Sequence, residues 1–195
     1  MAYLRISEAR AAGRATWVVL QKSASQILRE DARGFSTEKR YDVFLSHSYD
    51  DGEMILGVKR VIEDLGLTVY VDWLEDPKLD RSKVTVATAA ILRARMRACN
   101  SLIYVHSSNS PDSAWMPWEL GYFDGFKPSQ VWILPLVSES DAEFKGQEYL
   151  GLYPTVDKLA GLPGRQNLGF TDVGDDHHQV PLTKAAKGHG VFFTG

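Results

Sequence analysis

Two hydrophobic rhythms alternate along this chain. Tyr41-Asp-Val-Phe-Leu-Ser46 is a short apolar run that closes on polar residues, His47-Ser-Tyr-Asp-Asp-Gly52. That is the pattern of a strand buried on both faces, with a loop at its carboxyl end. Met54, Ile55, Val58, Val61, Ile62 and Leu65 then recur at helical spacing, and Gly66 stands where a helix is usually terminated. Leu67 to Val71 repeats the strand pattern, followed by the polar loop Asp72 to Arg81. Ser82 suits the cap of a helix running to about Ala98, with Val84, Ala87, Ile91 and Ala94 inward. Ser101 to Val105 is a third strand and His106 to Asp112 its loop. Another helix follows, ending near Gly125, and then a fourth strand, Gln130 to Leu136. Phe144 to Leu150 suits a short helix, and Tyr153 to Val156 a fifth strand that Pro154 places at an edge.

Alternating strands and helices with short connections specify an α/β fold. The expectation is a central parallel sheet of about five strands flanked by helices, with right-handed crossovers and a flavodoxin-like order. Such sheets bind ligands in the crevice beyond the carboxyl ends of their strands. Around an α/β domain of residues 40–160, the pattern predicts a helical N-terminal extension and linker, 1–39, and an irregular C-terminal extension, 161–195. Helix is expected up to about Gly34 from Ala9, Ala11, Ala12, Ala15 and the apolar residues after them, with Gly13 weakening its middle. Its expected role is packing on the main domain or on a partner chain. Gly161, Pro163, Gly164 and Gly169 argue for irregular structure, with room for one helix, in the tail.

Composition narrows the class. The net charge of −3 argues against a nucleic-acid binder, which carries a strongly basic face. Arg93, Arg95 and Arg97 form a local basic cluster, read as a solvated helix face. The single cysteine, Cys99, excludes an internal disulfide and a cysteine-based zinc site, and fits a reducing compartment. No run approaches the roughly 20 apolar residues of a membrane span, and Trp17 to Leu20 is too short for a signal-peptide core. The chain therefore reads as cytoplasmic, without membrane association. His177 and His178 adjoin Asp175 and Asp176, but adjacent histidines are a weak metal signal and no metal site is assigned.

Several chemistries are missing. The first strand is followed by His47-Ser-Tyr-Asp-Asp-Gly52, so the glycine-rich dinucleotide fingerprint is absent. There is no phosphate-binding P-loop, no nucleophile elbow and no H-E-x-x-H. What remains is a set of polar and aromatic residues directed to one crevice: Ser46, His47, Tyr49, Asp50, Asp72, Trp73, Trp115 and Glu119. Trp115 and Glu119, in Ser113-Ala-Trp-Met-Pro-Trp-Glu-Leu-Gly121, are four residues apart, hence one turn apart on one helix face. Ser113 or Asp112 can cap this helix, and Pro117 fits its first turn. By spacing alone the pair reads first as an amphipathic helix start, its tryptophan in the core and its glutamate suited to the positive end of the helix.

Together, Tyr41 to His47, the loop Val71-Asp-Trp-Leu-Glu-Asp-Pro77 to Ser82, Ser101 to Val105 and Trp115-Met-Pro-Trp-Glu-Leu-Gly121 resemble a Toll/interleukin-1 receptor (TIR) domain of the bacterial stand-alone type. The resemblance covers about Tyr41 to Tyr153, within the domain set at 40–160. It implies that Glu119 is the glutamate with which catalytic TIR domains cleave NAD⁺, and that Trp115 is its paired aromatic. NAD⁺ is then a substrate, and neither a cofactor nor a metal is implied. The products expected are nicotinamide and ADP-ribose or a cyclic ADP-ribose isomer, in antiphage signalling of the Thoeris kind. Ser46, His47, Tyr49, Asp72 and Trp73 join Trp115 as substrate-binding candidates. Asp76, Asp80 and Arg81 lie in the segment that serves TIR–TIR assembly, so self-association is expected, as is a downstream effector that senses the product. The competing reading is a non-catalytic TIR–TIR adaptor.

Overall fold

A computed structural model describes residues 3–15, 39–76, 84–140, 144, 146–159, 167–172 and 175–187. In chain order these form β1 (Leu4–Arg5), α1 (6–15), β2 (Tyr41–Ser46), α2 (Gly52–Glu63), β3 (Val69–Tyr70), α3 (Asp72–Glu75) and α4 (Val86–Arg97). They continue with β4 (Cys99–His106), α5 (Met116–Phe126), β5 (Val131–Val137), β6 (Thr155–Leu159), β7 (Asn167–Asp172), β8 (Asp175–Pro181) and α6 (Leu182–Ala186). The sheet order is β3-β2-β4-β5-β6-β7-β8, with β1 paired to β5. Pairings from β3 across to β6 are parallel, and β6, β7 and β8 are antiparallel neighbours. The parallel part has the flavodoxin-like order expected of the sequence.

Strand alternation sorts the core into two layers. Val43 and Leu45 of β2, Ile103 and Val105 of β4, and Trp132 and Leu134 of β5 pack with Ile55, Val58 and Ile62 of α2. Phe44, Leu102, Tyr104, Val131 and Ile133 point the other way, onto Leu92 and Met96 of α4 and Met116, Leu120 and Phe123 of α5. The second layer holds the site: Ser46 shares the parity of Phe44, and its register partner on β4 is Tyr104.

Four sequence expectations are corrected. Residues 4 and 5 are strand, not helix: Leu4 pairs with Leu136 and Arg5 with Val137. The helix after them is packed into the domain, its Ala9 fully buried in the first layer. Gly13, read as a weak point, is a close-approach point. A Cβ there would stand 2.0 Å from the Glu53 carbonyl oxygen, and one at Gly57 would stand 1.7 Å from that of Ala9.

The tail is the second correction, since it contains the paired strands β7 and β8, whereas its helix, α6, is as expected. Leu168, Phe170 and Val180 are buried there, an alternation too brief and glycine-broken to register as a strand signal. Third, β6 is flanked on both sides, not an edge. Pro154 stands just before it and uses only its carbonyl, which accepts from the Ile133 backbone N–H at 3.0 Å.

The fourth correction concerns α4, which buries Thr88, Leu92, Arg95 and Met96, while Val84 and Val86 are 74 % and 85 % exposed. Its cap is Thr85, whose Oγ1 accepts from the Thr88 N–H at 3.1 Å; Ser82 is outside the described residues. Arg95 belongs to the inward stripe because a buried carboxylate neutralises it, so its charge misdirected the periodicity. Among the described residues, no helix is long and apolar enough to cross a membrane.

Candidate active site

Ser46 ends β2 and Glu119 lies in the first turn of α5, so the chain brings them together from 73 residues apart. The Ser46 hydroxyl donates to Glu119 Oε2 at 2.6 Å, and neither residue has exposed surface. A charged acceptor makes this a strong hydrogen bond, and the positive end of α5 favours a negative charge there. Trp115 is the residue before the helix, and its carbonyl accepts from the Glu119 N–H at 2.8 Å. The Trp115 ring is buried, edge-on to Trp118 at 5.4 Å. The Ser113 Oγ accepts from the Met116 N–H at 3.3 Å, as a capping serine does.

A second cluster joins the loops after β2 and β3. His47 Nδ1–H donates to the Leu45 carbonyl at 2.8 Å, which leaves Nε2 to accept from the Trp73 indole at 3.2 Å. Asp72 Oδ1 lies 3.4 Å from the same Nε2 and accepts from the Trp73 backbone N–H at 2.8 Å. His47 and Asp72 are buried and Trp73 half-buried. Both ring nitrogens of His47 are thus engaged within the protein, and the cluster orients the rim of the crevice. Tyr49 is 77 % exposed and Asp50 is also exposed, so this pair faces solvent.

Asp76, an assembly candidate by the resemblance, is buried. Arg95 grips its carboxylate with Nε at 2.7 Å and Nη2 at 2.6 Å, and the Tyr70 hydroxyl donates to it at 2.7 Å. Burial first, and then this carboxylate, push the Tyr70 phenol's pKa far up. Hydrogen bonding to Asp76 in turn raises that of Arg95. The reading of Arg93, Arg95 and Arg97 as a solvated face is corrected at Arg95; Arg93 lies 5.3 Å over Trp118, and Arg97, 5.9 Å over Tyr122, is exposed. Asp80 and Arg81 lie outside the described residues, as do the side chains of His177 and His178 in β8. Among the described residues, no cluster of histidine, cysteine and acidic groups could hold a metal.

Two features escaped the sequence. Asp51 clamps the loops after β2 and β4 together: Ser107 Oγ donates to Oδ2 at 2.5 Å and Asn109 Nδ2 to Oδ1 at 2.7 Å. Its place in a polar loop was visible, but its partners 56 and 58 residues away were not. The other is Tyr104, whose ring fills the second layer and whose hydroxyl is buried without a hydrogen bond. Burial, then Tyr149 and Glu119, push its pKa up.

This is an arrangement for stabilising positive charge. A buried carboxylate, oriented by a hydroxyl and a helix start, sits at the ligand-binding end of a parallel sheet.

No family model matches the chain. Over 138 residues, 70 % of this chain and 71 % of the other, it is 55 % identical to a probable 3′ cyclic ADP-D-ribose synthase, ThsB′, of Bacillus cereus (strain MSX-D12). Over 95 residues, 48 % of this chain, it is 33 % identical to a putative cyclic ADP-D-ribose synthase, TIR2, of Cytobacillus dafuensis, and that match covers 25 % of the longer protein.

Proposed function

Because the chain belongs to the Thoeris-type TIR family of the cyclic ADP-D-ribose synthase ThsB′, we propose that it cleaves the nicotinamide–ribose bond of NAD⁺ and closes the ADP-ribose half into a cyclic isomer. The observation that supports this reading most is the buried Ser46–Glu119 pair at the carboxyl end of the sheet.

The chemistry needs one carboxylate. The nicotinamide of NAD⁺ is already cationic. It leaves as a neutral molecule with the electrons of the C–N bond, so the leaving group requires no general acid, unlike the leaving oxygen in glycoside hydrolysis. Positive charge develops on the ribose as an oxocarbenium ion. Glu119, held by the Ser46 hydroxyl, stabilises that charge and can accept hydrogen bonds from the ribose hydroxyls. Glu119 has no exposed surface in the free protein, so NAD⁺ must part the groups that cover it. The cation is then captured within the same molecule. An internal nucleophile of the ADP-ribose half gives the cyclic product, and capture by water gives ADP-ribose, a nucleosidase outcome that we assign as the minor route. The balance depends on how well the bound substrate is oriented and shielded from water. The His47–Asp72–Trp73 cluster and the Asp51 clamp fix the loops that supply that shielding.

The wider setting is part of the same reading: a cytoplasmic antiphage signalling enzyme, active in a TIR–TIR assembly, whose cyclic product is sensed by a downstream effector. Asp76 then serves assembly through the loop it anchors rather than by direct contact.

The test is incubation with NAD⁺ and mass spectrometry of the products, with Glu119→Gln alongside. Loss of the preorganised charge is expected to lower nicotinamide release about 100-fold or more. A folded E119Q protein that releases nicotinamide at the wild-type rate would refute the assignment.

A further inference from the structure

The Tyr104 hydroxyl is a buried polar group without a geometric hydrogen bond, beside the Tyr149 phenol. The residue has no exposed surface, and its hydroxyl has no hydrogen-bond partner. Leaving such a group unsatisfied is costly, and phenylalanine would fill the same space without that cost. A residue that keeps the hydroxyl therefore points to a use outside the free, folded state.

Its surroundings identify the use. Tyr104 and Ser46 are register partners on adjacent parallel strands, so their side chains leave the sheet on the same face. That face carries α5, and Ser46 already donates to Glu119. Tyr104 and Trp115 pack in the same apolar cluster. The Glu119 carboxylate is close enough to Tyr104 to disfavour its ionisation, and the Tyr149 phenol stands beside it without hydrogen-bond geometry.

We infer that Tyr104 is a positioning residue for Glu119: with substrate bound, its hydroxyl becomes the second hydroxyl donor to the carboxylate, beside that of Ser46. Resting on the proposed NAD⁺ cleavage, this explains why an uncompensated hydroxyl is kept on the central strand. Glu119 turns toward the ribose as substrate binds, and Tyr104 fixes the turned orientation. The phenol remains protonated throughout, so it donates a hydrogen bond and transfers no proton.

Tyr104→Phe tests this, because it deletes the oxygen and keeps the ring. Nicotinamide release is measured over a range of NAD⁺ concentrations, and the melting temperature is measured on the same samples. The expected result is a kcat about tenfold lower, the value of one hydrogen bond, with KM within about twofold and a melting temperature equal to or above wild type. An unchanged kcat would overturn the inference. So would a kcat loss accompanied by a lower melting temperature, because the hydroxyl would then have a structural partner. Wild-type protein that releases no nicotinamide would overturn the NAD⁺ reading and this inference with it, whereas an active wild type with an unaltered Y104F would overturn this inference alone.

Discussion

Gly57→Ala should be the most damaging single-methyl change in the described fold. Ala9 and Gly13 of α1 face Gly57 of α2 at backbone contact. A methyl carbon at position 57 would lie 1.7 Å from the Ala9 carbonyl oxygen, 2.6 Å from its carbon and 2.9 Å from the Gly13 nitrogen. Carbon and oxygen need about 3.3 Å, so the helices must separate by about 1.5 Å. A gap of half to one ångström already forfeits a quarter to a half of each dispersion contact along such a seam. Backbone atoms cannot rotate aside as a side-chain end can. The cost should therefore reach the upper end of overpacking penalties, about 3 kcal/mol. For a chain of this length that is a fall in melting temperature of roughly 6–12 °C. Thermal unfolding followed by circular dichroism measures it. Gly121→Ala is the control: it is helical, with open space where its Cβ would stand, and should stabilise by about 1 kcal/mol. A G57A protein melting within about 2 °C of wild type would show that α1 is not seated on α2, and the close-approach reasoning would fail.

Asp76→Ala should destabilise by about 3–5 kcal/mol in urea melts, because it strands a buried Arg95 guanidinium and the Tyr70 hydroxyl; an unchanged midpoint would mean that the pair contributes nothing. Burial holds the His106 pKa below its ordinary value, with Phe144 edge-on to its ring at 4.9 Å. Its contribution to stability is therefore complete above the unfolded value of about 6.5 and is lost as pH falls through that value toward the folded one. Melting temperature should accordingly drop between about pH 7 and pH 5, and His106→Gln should flatten part of that drop. Parallel pH profiles for the two proteins would refute the assignment.

The parallel framework was legible because its signals are local. Tyr41 to Ser46 and Ser101 to Val105 are continuous apolar runs, which strands buried on both faces require. The α2 periodicity and the stop at Gly66, whose φ is +82°, are likewise contained in their own segments. Glu119 was legible as a candidate because the position of α5 after the third strand of the parallel core fixes which end of the sheet it faces. Where the reading failed, a partner distant in sequence had changed the meaning of a residue. Arg95 looked solvated until Asp76 neutralised it, and Gly13 looked weak until Gly57 approached it.

By itself, then, the sequence determined the alternation of elements and the sheet class, and it put Glu119 forward as a candidate at the carboxyl ends of the strands. Each depends on hydrophobic period or on chain order, which no distant contact alters. Tertiary structure alone decided that Ser46 holds Glu119, that His47 is occupied by Leu45 and Trp73, that Asp76 is buried, and that Tyr104 is left with an unpaired hydroxyl. Those facts depend on which side chains meet across strands and loops. A hydrogen bond is short and directional, so its presence is fixed only once packing has set the atoms within reach.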